Sequence, residues 1–483
     1  MPWFAGVGDS AFVHAFSATI DPLGLDEIVE GRRRILVATG EVLEPKMSGP
    51  TIRAWQMART LAREHDVQLV SDQDCRLSHP DFGTRAVDES GLAEVEAWAD
   101  VIVFQGYVMR QHPVLRKSRK IIVVDIYDPF HLEVLEQARH LEPPKRMFAV
   151  LSSADVLNEQ LRRGDFFLCA SEKQRDFWLG QLAAVGRINS RTYGQSENLD
   201  SLIAVAPFGL DEEPPRHTRP VLRGVVPGIG SNDKIVLWGG GVYNWLDPLT
   251  LLRAVDKLRR RLPEVRLYFL GLQHPSPRVG EMQMTTDAVD LARDLRLLGT
   301  HVFFNEDWVA NDDRQNYLLE ADVGVSTHLD HVESRFSFRT RVLDYLWTSL
   351  PIVATAGDSL AALIESEKIG ITVPPGDVLA LEDALFRLLD DKDLNASCRA
   401  AIARIAPSFR WSNVLRPLVE FCRSPARAPD LVDPETAALV GNRAGGMWLQ
   451  TGWKADARKA IGFVRRGEMR LLLSRVKARL TRR

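Results

Sequence analysis

Two arginines, Arg339 and Arg341, stand one residue apart, just after a polar run that holds Asp330, His331 and Glu333. The pattern predicts a short loop and then a helix opening near Phe338, with Thr340 and both arginines in its first turn and Asp344 one turn on. A helix N-terminus already presents unpaired N–H groups and the positive end of a dipole, so two guanidiniums there oppose the local field. A bound phosphate reverses the conflict by accepting backbone N–H bonds and bidentate arginine contacts together. Pairing of the arginines with Asp330, Glu333 or Asp344 is the competing use of the same charges; anion binding ranks first. A second group lies in DIYDPFHLE, where Asp125, Asp128 and His131 suit an acceptor or proton-handling site. There the alternative is that Asp128 caps a turn and His131 packs on the helix.

Other polar groupings carry less. His328 and His331 with Asp330 and Glu333 have neither a helix nor a second anchoring cluster, so no metal site is expected. Gly239, Gly240 and Gly241 permit a tight turn and close approach of a ligand to the backbone. They do not form GxGxxG, and no acid in the right context completes a dinucleotide site. Tyr243, Asn244 and Trp245 after them suit a sugar or base pocket, or simply a packed loop. His274 follows the next strand in the same relation.

The elements that must position these residues follow a β-α rhythm. Apolar runs at 35–38, 67–70, 101–104, 121–124, 166–169 and 203–205 are short, β-branched or aromatic, and bounded by polar or glycine positions. A helix from about Thr51 to Glu64, with Ile52, Trp55, Ala58, Leu61 and Ala62 along one side, joins the first two and favours a parallel crossover. Ser48 and Gly49, in the loop before it, can bring backbone amides towards a ligand. The run DEEPPRHTRPVLRGVVPGIGSND is rich in proline, glycine and charge, as a linker is. A second rhythm then places strands at 235–238, 266–270, 302–304, 321–326, 352–354 and 370–373, with a last helix over 409–422. The fold expected is α/β: two facing doubly wound Rossmann-like domains with a ligand in the interdomain cleft and a basic helical C-terminal tail. The boundaries expected are an extension at 1–33, domains at 34–208 and 233–424 joined by a linker at 209–232, and a linker with a tail at 425–483.

Composition narrows the classes. The 483 residues suffice for two cores, and Cys75, Cys169, Cys398 and Cys422 match no metal spacing, which suggests buried reduced thiols. The start lacks the pattern of a signal peptide and no run is long enough to cross a bilayer, so a cytoplasmic chain is expected. The net charge of −3 hides an asymmetry: residues 454–483 hold eleven Lys and Arg against Asp456 and Glu468. Apolar residues fall at helical spacing through 453–483, so this segment is expected to lie on an anionic membrane surface, making the chain peripheral at the inner face of the cell membrane. Nucleic acid is not expected, because aromatics for base stacking are sparse.

Taken in order, VAPFGLD, ADVGVSTH, LDYLWTSLPIVAT and GITVPPGD resemble segments of GT-B fold glycosyltransferases, family-4-like, of the kind that glycosylate bacterial polysaccharides and lipids. The resemblance spans roughly residues 34–422. It implies transfer of a sugar from a nucleotide diphosphate donor to a glycan or lipid-linked acceptor, usually with retention. It also implies no cofactor or metal beyond the nucleotide sugar as co-substrate. On this likeness Gly239 to Gly241 and Phe338 to Arg341 hold the diphosphate, and Trp308 and Val309 lie near the base. Asp344 binds ribose, Asp330 or Glu333 binds the donor sugar, and Asp128 and His131 face the reaction with Ser48 and Gly49. Two departures stand out. The first of the family's two spaced glutamates falls on Phe336, and its Arg/Lys pair falls on Gly240 and about Leu246, so Arg339 and Arg341 are expected to replace those cations. A nucleotide-sugar epimerase of the same fold, or a non-catalytic sugar-nucleotide-binding protein, are the alternatives.

Overall fold

The computed structural model describes residues 31–272, 282–433 and 436–437. The extension before residue 31, His274 and the basic segment 453–483 lie outside the described residues. Strands β1 (Arg34–Thr39), β2 (Asp66–Ser71), β3 (Gly83–Ala86), β4 (Val101–Gln105), β5 (Ile121–Asp125), β6 (Phe166–Cys169) and β7 (Ile203–Val205) form one parallel sheet, in the order β3-β2-β1-β4-β5-β6-β7. A second parallel sheet holds β8 (Lys234–Trp238), β9 (Val265–Phe269), β10 (Val302–Phe304), β11 (Val323–Ser326), β12 (Ile352–Thr355) and β13 (Gly370–Val373), in the order β10-β9-β8-β11-β12-β13. Central strands such as β4, β11 and β12 are buried along their whole length, because helices cover both faces of a parallel sheet. Strand order reverses between β1 and β4 and between β8 and β11, and the loops leaving β1 and β8 therefore open at switch points, where such sheets bind ligands.

Two local expectations need correction. The helix Gly49–Leu61 buries Ala54, Met57, Ala58 and Leu61, while Ile52 and Trp55 sit on its half-buried flank. Its Arg53, which a surface pattern would leave in solvent, is fully buried: it pairs with Asp125 at 2.6 and 2.8 Å and donates to the Ala206 and Pro207 carbonyls. Asp125 is therefore a structural partner under the cleft floor and is not free for proton transfer. The helix expected over 409–422 is broken into Trp411–Val414 and Arg416–Arg423, with Pro417 supplying no N–H in the first turn of the second piece.

That broken segment returns to the first domain. Trp411 packs on Phe208 (ring centroids 4.8 Å), Phe421 stacks on Phe166 (4.5 Å), and the buried Asp430 meets Arg187 at 2.7 Å. A side chain at Gly209 would lie 2.5 Å from the Trp411 ring, so only glycine lets the outgoing linker cross the returning chain. Hence residues 411–432 close the molecule by belonging, in packing terms, to the N-terminal sheet.

Candidate active site

Between the two domains lies a cleft of two adjoining lobes of about 150 and 290 Å³, which share Gly49, Tyr243, Thr340 and Arg341. The smaller lobe is bounded by Gly239, Gly240, Gly241, Trp308, Val309, Arg314 and Asp344, with Gly49 and Ile52 from the opposite domain. The larger lobe is bounded by Asp128, Glu133 and Tyr127 on one side and by Trp245, Phe338, Arg339 and Thr340 on the other.

The segment with the two arginines does not form one helix. His331 caps a short helix, Val332–Phe336, by accepting from the Ser334 N–H at 3.3 Å; Ser337 turns extended, and a second helix, Arg341–Trp347, begins after Thr340. The Ser337 hydroxyl donates to the Ser334 carbonyl, and local bonds of this kind compete with continued helix. Arg339 therefore precedes the second helix, and only Arg341 lies in its first turn.

The two guanidiniums have different fates. Arg339 donates to both carboxylate oxygens of Glu333, at 2.9 and 2.7 Å, and is almost wholly buried. The competing use of its charge has won, and Glu333 is correspondingly not free to hold a sugar. Arg341 donates to the Gly241 carbonyl at 3.0 Å and lies 4.4 Å from the Trp238 ring centroid, while its buried Nη1 has no hydrogen-bond partner. Among the described residues no ion pair engages it within 4.0 Å. Burial pushes its pKa down to about 10, so it stays a cation whose solvation the protein only partly replaces.

Beside Arg341 the glycine turn is held from below. The Tyr345 hydroxyl accepts from the Gly239 N–H at 2.8 Å and donates to the Val325 carbonyl at 2.9 Å. Gly240 has φ of +78°, a conformation that costs a side-chain-bearing residue energy. A Cβ at Gly241 would sit 3.1 Å from the Tyr243 ring and 3.3 Å from that of Trp308, so this turn keeps its backbone close to both aromatics. At the far end of the lobe Asp344 lies 3.4 Å from Arg314, which also approaches Asp211 at 3.7 Å; burial raises the Asp344 carboxyl.

In the larger lobe Asp128 is pushed up to about 7, by burial first and then by the charge of Glu333, with Arg339 opposing. Glu133 is raised well above the ordinary carboxylate range, again by burial first and then by Asp128. Neither carboxylate has a hydrogen-bond partner among the described residues, so the pair holds a proton at neutral pH that a ligand or a base can exchange. Tyr243 and Trp245 stack with ring centroids 4.9 Å apart on the facing wall.

Several expected residues lie elsewhere. His131 lines neither lobe: its ring packs against Phe177 and Trp178, at centroid distances of 5.6 and 5.8 Å, and burial pushes it down to about 4. The packing alternative holds, because an imidazole among aromatics is more stable uncharged. The Ser48 hydroxyl is buried against that of Thr51 at 3.0 Å, and its neighbours Met47 and Gly49 face the cleft instead. Asp330 is exposed and lines neither lobe. Conversely, Glu133 and Arg314 were not singled out in the sequence. Glu133 sits five residues after Asp128, in the first turn of the helix Phe130–Gln137, and that proximity was the available signal. Arg314 carried none, since its approach to Asp344 spans thirty positions.

Comparison with known proteins agrees with this fold. The family described as "Glycosyl transferases group 1" matches residues 233–391, the domain that holds the glycine turn and Arg341. A phosphatidyl-myo-inositol mannosyltransferase of Mycolicibacterium smegmatis is 27% identical over 164 residues, 34% of this chain and 38% of that relative. The match thus spans well under half the length of the curated relative. Among solved structures, WaaG, a glycosyltransferase involved in lipopolysaccharide biosynthesis, superposes with a TM-score of 0.58 at 15% identity, over 81% of this chain and all of that one. Trehalose-6-phosphate synthase OtsA gives 0.59 at 13%, over 82% of this chain and all of that one. Anabaena HepE in complex with UDP-glucose gives 0.57 at 13%, over 81% and 100%. The architecture is therefore GT-B, and its second domain resembles the glycosyl transferases group 1 over residues 233–391.

Proposed function

We propose that this protein transfers a glycosyl group from a nucleoside diphosphate sugar to a glycan or lipid-linked acceptor, with the diphosphate held at Arg341 and the Gly239–Gly241 turn. The observation that carries the proposal is the position of Arg341: a half-buried cation at the junction of both lobes, with an unfilled donor and no carboxylate partner among the described residues. A diphosphate there would accept from Nη1 and neutralise the charge, and its developing negative charge on departure would meet a donor already in place. Trp308 and Val309 then bound the base end, and Asp344 with Arg314 the ribose end. The HepE complex with UDP-glucose supports a donor of this class, and the mannosyltransferase relative supports a lipid acceptor.

Chemistry falls in the larger lobe. The acceptor hydroxyl attacks from the face that the nucleoside diphosphate leaves, as retention in one step requires; the diphosphate takes the electron pair of the broken bond, and the hydroxyl proton passes to ionised Asp128 as the new glycosidic bond forms. Glu133 shares that proton, and closure of the cleft excludes the water that would otherwise hydrolyse the donor. Retention of configuration and independence of metal ions follow from the family likeness, and belong to the proposal. So do a position at the inner face of the cell membrane and the contact of residues 453–483 with anionic lipid; among the described residues no helix is long and apolar enough to cross a membrane.

A thermal-shift panel of nucleoside diphosphates and their sugars tests the reading, since a ligand that binds only the folded state raises the transition temperature. Nucleoside diphosphate sugars are expected to stabilise the wild type and to lose most of that effect in Arg341→Ala. Incubation with donor and membrane extract should then release nucleoside diphosphate. Return of an isomerised nucleotide sugar, or binding without turnover, would defeat the proposal.

A further inference from the structure

Arg314 and Asp344 form an open ion pair. Their side chains are only 15 and 26% exposed, yet they stop at 3.4 Å without a hydrogen bond, and the buried Arg314 Nε–H has no acceptor. Arg53 with Asp125, at 2.6 and 2.8 Å, and Arg339 with Glu333, at 2.9 and 2.7 Å, close completely. Those two pairs are finished structure; this one is not.

The Arg314 guanidinium is nonetheless held in place. One terminal nitrogen donates to the Asn311 side-chain oxygen, the other approaches Asp211 of the linker at 3.7 Å, and the Cζ lies 5.4 Å from the Trp347 ring centroid. Asp211 is itself fixed by the Gln56 amide at 3.1 Å. What these contacts leave over is the Nε edge, which faces Asp344 at the boundary of the smaller lobe. A donor and an acceptor thus stand side by side, each short of a partner.

A guanidinium only donates and a carboxylate only accepts, whereas a hydroxyl does both. Two neighbouring hydroxyls therefore complete the pair, donating to Asp344 and accepting from Arg314. Position says which hydroxyls these are. Asp344 follows Arg341 by three residues in the helix Arg341–Trp347, so it lies on the same side, about 4.5 Å further along the axis. With the diphosphate at Arg341 and the base against Trp308 and Val309, the sugar that joins them in the nucleotide falls beside Asp344.

We propose that Arg314 is a specificity-determining residue: with Asp344 it brackets the 2′,3′-diol of a ribose, so that the donor is a ribonucleoside diphosphate sugar and 2′-deoxyribonucleoside diphosphate sugars are rejected. This rests on the transfer reading, which places the diphosphate at Arg341.

Calorimetric titration of the full chain with matched pairs, UDP and dUDP, GDP and dGDP, ADP and dADP, tests it. The best-bound ribonucleotide should bind about tenfold or more tightly than its 2′-deoxy counterpart, because a site built to bond a hydroxyl rejects the analogue that lacks it. Arg314→Ala should weaken the ribonucleotide severalfold and the deoxynucleotide far less, so that their ratio falls towards one. A merely structural arginine would weaken both alike and leave the ratio unchanged. Arg314→Lys keeps a cation beside Asp344 and so guards the fold, but a point charge lacks the fixed Nε edge, and the ratio should again fall severalfold. Equal binding of the two forms by wild type, or a ratio that survives both substitutions, overturns the proposal and leaves the transfer reading standing. So does a preference among bases that Arg314→Ala removes without any preference for ribose, which would assign the pair to the base. If no nucleoside diphosphate binds wild type, the transfer reading falls and takes this proposal with it.

Discussion

Arg339 and Glu333 face each other in a bidentate pair at 2.9 and 2.7 Å, at the wall of a cleft in which Arg341 has no such partner among the described residues. Two cations one residue apart in sequence therefore do different work. One completes the wall; the other is the cation proposed to meet the diphosphate.

Loss of Glu333 should register as instability. Glu333→Ala strands a guanidinium that is 7% exposed, and removing one partner of a buried pair costs about 3–5 kcal/mol. Urea unfolding of this variant should show a lower midpoint at unchanged slope.

Arg341→Met should register as lost affinity. A methionine keeps an apolar stem but removes the donors, and the buried charge is lost together with its contact over the Trp238 ring, so the melting temperature should change little. Nucleoside diphosphate should bind about 10- to 100-fold more weakly, since hydrogen bonds to charged groups contribute about 1.5–3 kcal/mol. Calorimetric titration would measure it, and wild-type affinity in the variant would remove the proposed anion subsite.

The Asp128 carboxyl gives a pH signature. Its folded pKa, raised to about 7, exceeds its ordinary value near 4, so in that window the folded state keeps a proton that the unfolded chain has released. Stability should consequently fall as pH rises towards 7 and level off above it. Asp128→Asn should match wild type near pH 4 and exceed it in urea midpoint at pH 8. Transfer should show the opposite trend in the wild type, with kcat rising through about pH 7 as the base ionises, and Asp128→Asn should abolish that limb.

The returning chain should prove essential to the N-terminal domain. Asp430 and Arg187 are both fully buried, and Arg187 also donates to the Leu161 and Gly164 carbonyls at 2.7 Å. Asp430→Ala should cost about 3–5 kcal/mol, with hydrogen exchange rising in both the helix Pro143–Arg163 and the segment 411–432.

Tyr345 offers a milder case. Tyr345→Phe leaves the Gly239 N–H without its acceptor, a loss of about 1–3 kcal/mol. Because that N–H begins the glycine turn, nucleotide affinity should fall along with stability.

The sequence by itself determined every described strand except Gly83–Ala86, an edge strand without an apolar run. Short runs such as 166–169, 203–205, 302–304 and 370–373 carry their own β-branched and aromatic bias, and both faces of a parallel strand must be apolar, so the elements were legible locally. The glycine turn and Trp308 were equally legible, since each follows a strand at its carboxyl end, and Arg341 stood out as a cation in the first turn of a helix. Only the tertiary structure decided the state of the charges. Whether Arg339 meets Glu333, Arg53 meets Asp125, Arg314 meets Asp344 or His131 meets Trp178 depends on which distant groups are desolvated together, and burial, which turns a surface charge into a wall or a site, is a property of packing that no local pattern encodes.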